Sequence, residues 1–204
     1  MNNNAITLAL TGASGAQYGI RLLERLLKAE RRVYLMLSKP AQLVVGMETD
    51  LKLPGRAGDI EAFFTERFHA AKGQLQVFSP EQWTAPVASG SAQVAAMVIC
   101  PCSMATLSAV ATGASRSLIE RAADVTIKEQ RKLILVPRET PFSAIHLENM
   151  LKLARLGVVI LPANPGFYQR PASVEEVVDF VVARVLDHLG VAHTLVPAWG
   201  EPGE

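Results

Sequence analysis

Short apolar segments alternate with amphipathic segments along most of the chain. The apolar segments lack a polar face, and they predict buried strands at 5–11, 33–37, 75–78, 97–100, 133–136 and 158–161. Segments whose apolar residues recur three and four positions apart predict helices at 16–28, 40–48, 59–68, 103–112, 118–130, 143–155 and 174–189. Strands and helices therefore follow one another in turn.

This alternation predicts a parallel sheet that is covered by helices on both faces. Strands buried on both sides are typical of α/β proteins, in which helices form the crossover connections. We therefore expect an α/β fold of the three-layer αβα, doubly wound, Rossmann-like type. The pattern indicates a single domain over residues 1–190 and an irregular tail, rich in Pro and Gly, over 191–204.

Composition narrows the possible functions. The chain has 204 residues, is 50% hydrophobic and carries a formal net charge of +1, so nothing in it points to a nucleic-acid or anionic-membrane partner. No charged residue lies between Gln82 and Ser115, but polar residues and prolines interrupt this stretch, so a buried ligand site fits it better than a membrane span. With two cysteines and no segment resembling a signal peptide, the sequence predicts a cytoplasmic protein.

The turn after the first predicted strand is a candidate ligand site. Gly12-Ala13-Ser14-Gly15-Ala16 joins that strand to a predicted helix, and its small residues would let a ligand approach the backbone. The N-terminus of the helix would offer unpaired N–H groups to a phosphate or a flavin. A tight turn of small residues selected for packing explains the pentad equally well.

Polar side chains follow several of the other predicted strands. Because the carboxyl ends of parallel strands lie at one edge of a sheet, these side chains should converge there. They are Ser38, the segment Ser103-Met104-Ala105-Thr106, the pair Arg138-Glu139, and Tyr168. Hydroxyl groups and an Arg suit phosphate oxygens, although each serine taken alone is more typical of a helix N-cap.

Other polar residues have ordinary structural explanations when they are considered singly. Arg121, Asp124 and Lys128 share one helix face, which is usual for a solvated, salt-bridged surface. A lone Glu48 at the end of a short helix is typical of a surface residue. Cys100 and Cys102 have no nearby partners for zinc and are interpreted as packing residues. No metal site is predicted.

Taken together, these segments resemble the flavin prenyltransferases, the UbiX family, formerly described as aromatic acid decarboxylases. The resemblance extends from about Ile6 to Leu189 and rests on the order of several short motifs. They are Thr11-Gly12-Ala13-Ser14-Gly15-Ala16, Glu48-Thr49-Asp50, Cys100-Pro101-Cys102-Ser103, Arg121-Ala122-Ala123-Asp124-Val125, Lys128-Glu129, Pro137-Arg138-Glu139-Thr140-Pro141 and Gly166-Phe167-Tyr168. Ser117 departs from the family, which usually has Asn before the following Leu. We expect this departure to change local loop hydrogen bonds without loss of activity.

The resemblance implies a reaction between reduced FMN and dimethylallyl monophosphate. The isoprenoid would be joined to N5 and then C6 of the flavin, and the prenylated FMN would serve a UbiD-type decarboxylase. By similarity, FMN would lie on Gly12, Ala13, Ser14, Ser38, Ser103, Met104, Ala105, Thr106 and Arg138. The substrate phosphate would be held by Lys128, Glu139, Tyr168 and Arg184, partly across subunits of a homododecamer, with Arg121 nearby. Ser14 and Glu48 would assist proton transfers, so the implied catalytic residues are Ser14, Glu48, Lys128 and Glu139.

Two other functions remain open at this point. Decarboxylases of the peptidyl-cysteine type have the same fold, but they carry a Pro-x-Met-Asn-x-x-Met-Trp motif, and Asn149-Met150 lacks the flanking Pro and Trp. A non-catalytic FMN carrier is the other alternative. The sequence contains no Asp-Asp-x-x-Asp cluster, with which diphosphate prenyltransferases hold magnesium, so a metal-free reaction with a monophosphate fits better.

Overall fold

The structure is a computed structural model that describes residues 5–197. Its strands are β1 (Ala5–Leu10), β2 (Arg32–Leu37), β3 (Leu75–Phe78), β4 (Ala96–Cys102), β5 (Lys132–Pro137) and β6 (Val159–Ile160). Its helices are α1 (Ala16–Lys28), α2 (Lys39–Glu48), α3 (Ala57–Phe68), α4 (Met104–Ala111), α5 (Leu118–Lys128), α6 (Ala144–Arg155) and α7 (Val174–Leu189). A short 3₁₀ turn at Pro86–Ala88, which the sequence pattern did not predict, precedes β4.

The strands form one parallel sheet in the order β3-β2-β1-β4-β5-β6. The chain crosses from one half of the sheet to the other after β3, so the strand order reverses between β1 and β4. This arrangement confirms the predicted α/β, doubly wound, Rossmann-like fold. In such sheets, ligands bind beyond the carboxyl ends of the strands, near the point of reversal.

Helices cover both faces of the sheet because the strands present apolar side chains in both directions. Leu8, Leu35 and Val98 point into one core, which packs against α1, α2, α3 and α7. Ala9, Met36 and Ile99 point into the other core, which packs against α4, α5 and α6. The alternation of successive strand residues between two cores explains why these strands are apolar throughout.

The predicted boundaries hold for α1, α7 and β3 and are wrong by one or two residues at the ends of the other elements. β4 continues to Cys102, whereas the sequence pattern placed its end at residue 100, because Cys102 still pairs with Pro137 of β5. β6 has only two residues in place of the four expected. The division into a domain at 1–190 and a tail at 191–204 stays a prediction. Residues 191–197 contain no helix or strand, and 198–204 lie outside the described residues.

Two further observations concern membranes and metals. Within residues 5–197, no helix is both long and apolar enough to cross a bilayer. The same part of the chain contains no group of three or more His, Cys, Asp or Glu side chains placed to hold a metal ion.

Cys100 and Cys102 are free and buried, and burial raises the pKa of the Cys102 thiol to about 12. They therefore fit the predicted packing role.

Candidate active site

The turn after β1 needs glycine at two positions. A Cβ atom on Gly12 would lie 2.5 Å from the Cβ of Pro40, so the close approach of this turn to α2 leaves no room for a side chain. Gly15 has a φ of +104°, a conformation that L side chains rarely adopt. The pentad is therefore a tight turn that brings the first residues of α1 close to α2.

The N-terminus of α1 is occupied by a carboxylate. Glu48 Oε2 accepts the backbone N–H of Gly15 at 2.8 Å and that of Ala16 at 3.0 Å. The expectation of unpaired N–H groups at this helix end is therefore wrong, since the last residue of α2 already binds two of them. Glu48 is also not the isolated surface carboxylate that its position in the sequence indicates.

Glu48 is held in its ionised form by these contacts. Burial acts to raise its pKa, but hydrogen bonds from Ser14, Ala16 and Gly15, together with the charge of Arg138, outweigh burial, so the pKa lies below its ordinary value. Arg138 Nε also donates to the Ser14 carbonyl, at 3.3 Å. Three predicted site residues are brought together at this turn.

The N-terminus of α4 remains open to a ligand. Ser103 caps the helix by accepting the Thr106 N–H at 3.3 Å, and the two hydroxyl oxygens are 3.1 Å apart. The N–H groups of Met104 and Ala105 begin the helix and have no acceptor within it. Thr11 fixes the position of this helix end, since its hydroxyl accepts the Ser103 N–H at 2.8 Å and donates to the Pro101 carbonyl at 2.8 Å.

A cavity of about 370 Å³ opens above this helix end. Five of the predicted flavin residues line it, namely Gly12, Ser38, Ser103, Ala105 and Thr106. Another groove, of about 360 Å³, lies between α1, α3 and α7, but none of the predicted site residues lines it. We therefore place the candidate site in the cavity at the carboxyl edge of the sheet.

Five lining residues were missed by sequence reasoning, namely Thr11, Pro40, Ser117, Ile119 and Glu120. A signal for two of them was present, because Ser117 and Glu120 form the Ser-x-x-Glu pattern of a helix N-terminus. Ser117 accepts the Glu120 N–H at 3.3 Å, and Glu120 accepts the Arg116 N–H at 2.7 Å. The departure at Ser117 is thus accommodated as an N-cap of α5.

Arg138 and Glu139 follow β5 but make separate contacts. Within residues 5–197 no salt bridge joins them. Arg138 donates to Ser14, as described above, and Glu139 Oε1 accepts the N–H of Thr140 at 3.0 Å. Both side chains are partly exposed at the same sheet edge, so each is available to a ligand.

The remaining predicted residues are not gathered by a single chain. Lys128 pairs with Glu129 at the far end of α5, about 15 Å along the helix axis from Leu118. Arg184 pairs with Asp187 at 2.5 Å in the last turns of α7. The end of α7 lies beside the first residue of β5, since Lys132 donates to the His188 carbonyl. Lys128 and Arg184 thus lie toward the amino edge of the sheet.

Arg121 and Tyr168 also lie apart from the cavity lining. Arg121 pairs with Asp124 at 2.8 Å and donates to the Ala88 carbonyl at 3.1 Å. Tyr168 is 53% exposed, and its ring packs edge-on against Phe180 with a centroid distance of 5.7 Å. One chain therefore brings together the residues predicted to contact the flavin. Four residues predicted to hold the substrate phosphate, Arg121, Lys128, Tyr168 and Arg184, lie outside the lining of its cavity.

Comparison with known proteins identifies the family. A family model described as Flavoprotein matches residues 1–186. The flavin prenyltransferase UbiX of Pseudomonas aeruginosa is 63% identical over 196 residues, covering 96% of this chain and 94% of the relative. The chain belongs to the flavin prenyltransferase family. The UbiX relative from Halalkalibacterium halodurans, 49% identical over 96% of this chain and 93% of its own length, agrees with this conclusion.

Solved structures of family members have the same fold. AnUbiX (PadA1), solved in complex with FMN and dimethylallyl pyrophosphate, is 38% identical with a TM-score of 0.86, covering 98% of this chain and 99% of that one. A dodecameric FMN-dependent UbiX-like decarboxylase from Escherichia coli O157:H7 is 40% identical with a TM-score of 0.84, covering 97% and 100%. The cysteine decarboxylase TvaF, at 18% identity and a TM-score of 0.57, shares the fold alone.

Proposed function

We propose that this protein joins the dimethylallyl group of dimethylallyl monophosphate to N5 and C6 of reduced FMN, giving prenylated FMN for a UbiD-type decarboxylase. The observation that carries the proposal is the 63% identity to a flavin prenyltransferase over 96% of the chain. The complex of a 38% identical neighbour with FMN and dimethylallyl pyrophosphate supports it. The proposal includes a preference of this chain for the monophosphate over the pyrophosphate.

The residues at the carboxyl edge of the sheet fit FMN. A phosphate needs N–H and hydroxyl donors, and the start of α4 offers both through Met104, Ala105, Ser103 and Thr106. The start of α1 cannot serve, because Glu48 occupies it with a negative charge. We therefore assign the FMN phosphate to α4 and Ser38. The remaining predicted flavin residues, Gly12, Ala13, Ser14 and Arg138, would contact the rest of the molecule.

The chemistry requires a leaving group, a proton donor and a proton acceptor. Reduced FMN supplies the electron-rich N5 and C6 atoms. Lys128 and Arg184 would stabilise the departing phosphate as its charge develops, and Glu139 would donate a proton to it. Ser14, which helps to lower the pKa of Glu48, would pass a proton to that carboxylate from the flavin side.

Several phosphate residues would have to come from neighbouring copies. Lys128, Arg121, Tyr168 and Arg184 are separated from the cavity lining of their own chain, as the contacts above describe. A homo-oligomer, and specifically a dodecamer, would bring them to another copy's cavity. The dodecameric relative from Escherichia coli, 40% identical to this chain, supports this assembly.

The decisive experiment mixes the protein with chemically reduced FMN and dimethylallyl monophosphate, without added metal, and measures the flavin mass. A flavin heavier by one dimethylallyl group supports the proposal. Unchanged flavin that copurifies with the protein would indicate an FMN carrier, and no flavin binding would contradict both functions. Parallel reactions with the pyrophosphate and with EDTA test substrate choice and metal independence. Activity lost with EDTA and restored by magnesium would refute a metal-free reaction.

A further inference from the structure

The carboxylate of Asp187, in the last turn of α7, holds two side chains at once. Its Oδ2 accepts a hydrogen bond from Nη1 of Arg184 at 2.5 Å, about one turn back along the helix. Its Oδ1 lies 3.0 Å from Nε2 of His193, which follows the end of the helix. The carboxylate therefore links the predicted phosphate residue Arg184 to the segment of chain after α7.

The other ring nitrogen of His193 determines where its proton lies. Nδ1 accepts the backbone N–H of Leu195 at 3.3 Å, so Nδ1 carries no hydrogen. The proton of a neutral imidazole is then on Nε2, and this N–H donates to Asp187. The His193 side chain is 11% exposed, so water has little access to either contact. His193 is thus oriented from both sides as a neutral donor.

The segment that carries His193 is fixed to the fold on both sides of that residue. Val191 is buried, and Leu195 packs against the core that α1 and α7 cover. Further along, the Pro197 carbonyl accepts a hydrogen bond from Gln169 Nε2 at 3.2 Å. The imidazole therefore has a defined position relative to α7.

Arg184 lies on the face of α7 that also contacts Tyr168. Phe180 is four positions before Arg184 and hence one turn away on that face, and its ring lies 5.7 Å from the ring of Tyr168. Apart from the bond to Asp187, the guanidinium of Arg184 makes no hydrogen bond within residues 5–197. A guanidinium held by one of its N–H groups keeps the others for a phosphate.

We propose that Asp187 and His193 are positioning residues for the phosphate-binding Arg184. The inference rests on the proposed function, in which Arg184 holds the phosphate of dimethylallyl monophosphate. His193 fixes the Asp187 carboxylate, and Asp187 fixes the guanidinium. A long side chain loses conformational freedom when a ligand orders it, and orientation before binding avoids that loss.

The test measures kcat/KM for dimethylallyl monophosphate with reduced FMN. His193→Phe keeps a ring without nitrogens and should lower kcat/KM about threefold to tenfold, the effect of one hydrogen bond. His193→Gln keeps an N–H that can reach Asp187 and should retain most of the wild-type value. His188→Phe is the matched control, because the His188 side chain, also near the end of α7, makes no hydrogen bond within residues 5–197. FMN affinity should be unchanged in all three variants, and circular-dichroism melts verify that they are folded.

Asp187→Ala separates positioning from electrostatics. Removal of a negative charge beside Arg184 would by itself favour phosphate binding and raise kcat/KM, whereas loss of the guanidinium's orientation lowers it. We expect a lower value. An increase would overturn the inference, and this result does not depend on the His193 variants.

A double-mutant cycle tests whether His193 acts through Arg184. Arg184→Ala should lower kcat/KM about tenfold or more, and adding His193→Phe should then have no further effect. Equal losses from His193→Phe with and without Arg184 would overturn the inference, as would wild-type kinetics for His193→Phe or a His193→Gln variant that is equally impaired. A wild type that forms no prenylated flavin would contradict the proposed function and this inference with it. An active wild type confines any failure to the positioning role.

Discussion

The Glu48 carboxylate accepts the backbone N–H of Gly15 at 2.8 Å, from a residue 33 positions away in the sequence. The contact ties the end of α2 to the start of α1, and it places a negative charge where Rossmann-like proteins commonly bind a phosphate. We therefore propose that the start of α4 is the helix end of the cavity that binds an anion. The arrangement therefore decides how a nucleotide would be oriented in the site.

Replacing Glu48 by Gln should destabilise the protein at neutral pH by roughly 0.3–1 kcal/mol, because the helix end loses its compensating charge. The pKa of Glu48 lies below its ordinary value of 4.5 in the folded protein. Its stabilising effect is therefore complete above pH 4.5 and is lost as the pH falls through the lowered pKa. Thermal melts of both proteins at pH 7 and at successively lower pH should converge in acid. Glu66→Gln, on an exposed position of α3, should show no such loss.

Gly12→Ala should cost roughly 1–3 kcal/mol of folding free energy. The added Cβ would lie 2.5 Å from the Cβ of Pro40, so the turn and α2 must separate. Gly58→Ala is a suitable control, since a Cβ there meets nothing within 4 Å. Urea titrations should show a lower midpoint for the first variant only. Equal midpoints would mean that the turn can relax without cost.

Ser103→Ala should weaken FMN binding by about tenfold or more, because a hydrogen bond to a charged group is worth roughly 1.5–3 kcal/mol. The variant also loses a helix cap, so a control for stability is needed. Ser173→Ala removes the equivalent N-cap bond to Glu176, 3.2 Å long, at the start of α7. Fluorescence titration with FMN should show weaker binding in the first variant and normal binding in the second.

Glu139→Gln should bind FMN almost normally and slow prenyl transfer. Gln can still accept the Thr140 N–H that Glu139 accepts at 3.0 Å, but it cannot transfer the proton. FMN titration and single-turnover rates together distinguish this role from a structural one. Weaker FMN binding with an unchanged rate per bound flavin would assign Glu139 to structure alone.

Tyr168→Phe should raise the KM for dimethylallyl monophosphate by about tenfold, since it removes one hydrogen bond to a charged phosphate. The ring contact with Phe180, at 5.7 Å between centroids, should persist. FMN binding and particle mass are therefore expected to be unchanged. Unaltered kinetics would show that Tyr168 has only a packing role.

Sequence patterns predicted the elements best where the signal is local. The bounds of α1 and α7 are correct because the spacing of their apolar residues and their flanking residues determine both ends. The predicted end of β4, at residue 100, was wrong because Pro101 is typical of a strand end. Pairing between Cys102 and Pro137 of the neighbouring strand extends β4 beyond it. That pairing depends on residues 35 positions apart, so no local pattern contains it.

The candidate site was predicted in part, from the geometry of parallel sheets. Strand ends in a parallel sheet must share one edge, so Ser38, Ser103 and Arg138 were expected to converge there. Thr11 was missed because it was assigned to the first strand, and its role depends on a hydrogen bond to Ser103. Glu120 was missed because a capping residue in sequence does not reveal which cavity lies beside it.

The sequence by itself determined the fold class and the family, because local periodicity and motif order specify them, and it predicted the sheet edge at which the candidate site lies. Only the tertiary structure decided which helix end is open to an anion. Glu48 occupies the start of α1 because α2 ends beside that helix end. Tertiary structure also separated Lys128 and Arg184 from the cavity of their own chain. Helix length and direction place them at the opposite edge, and sequence spacing alone does not specify that distance.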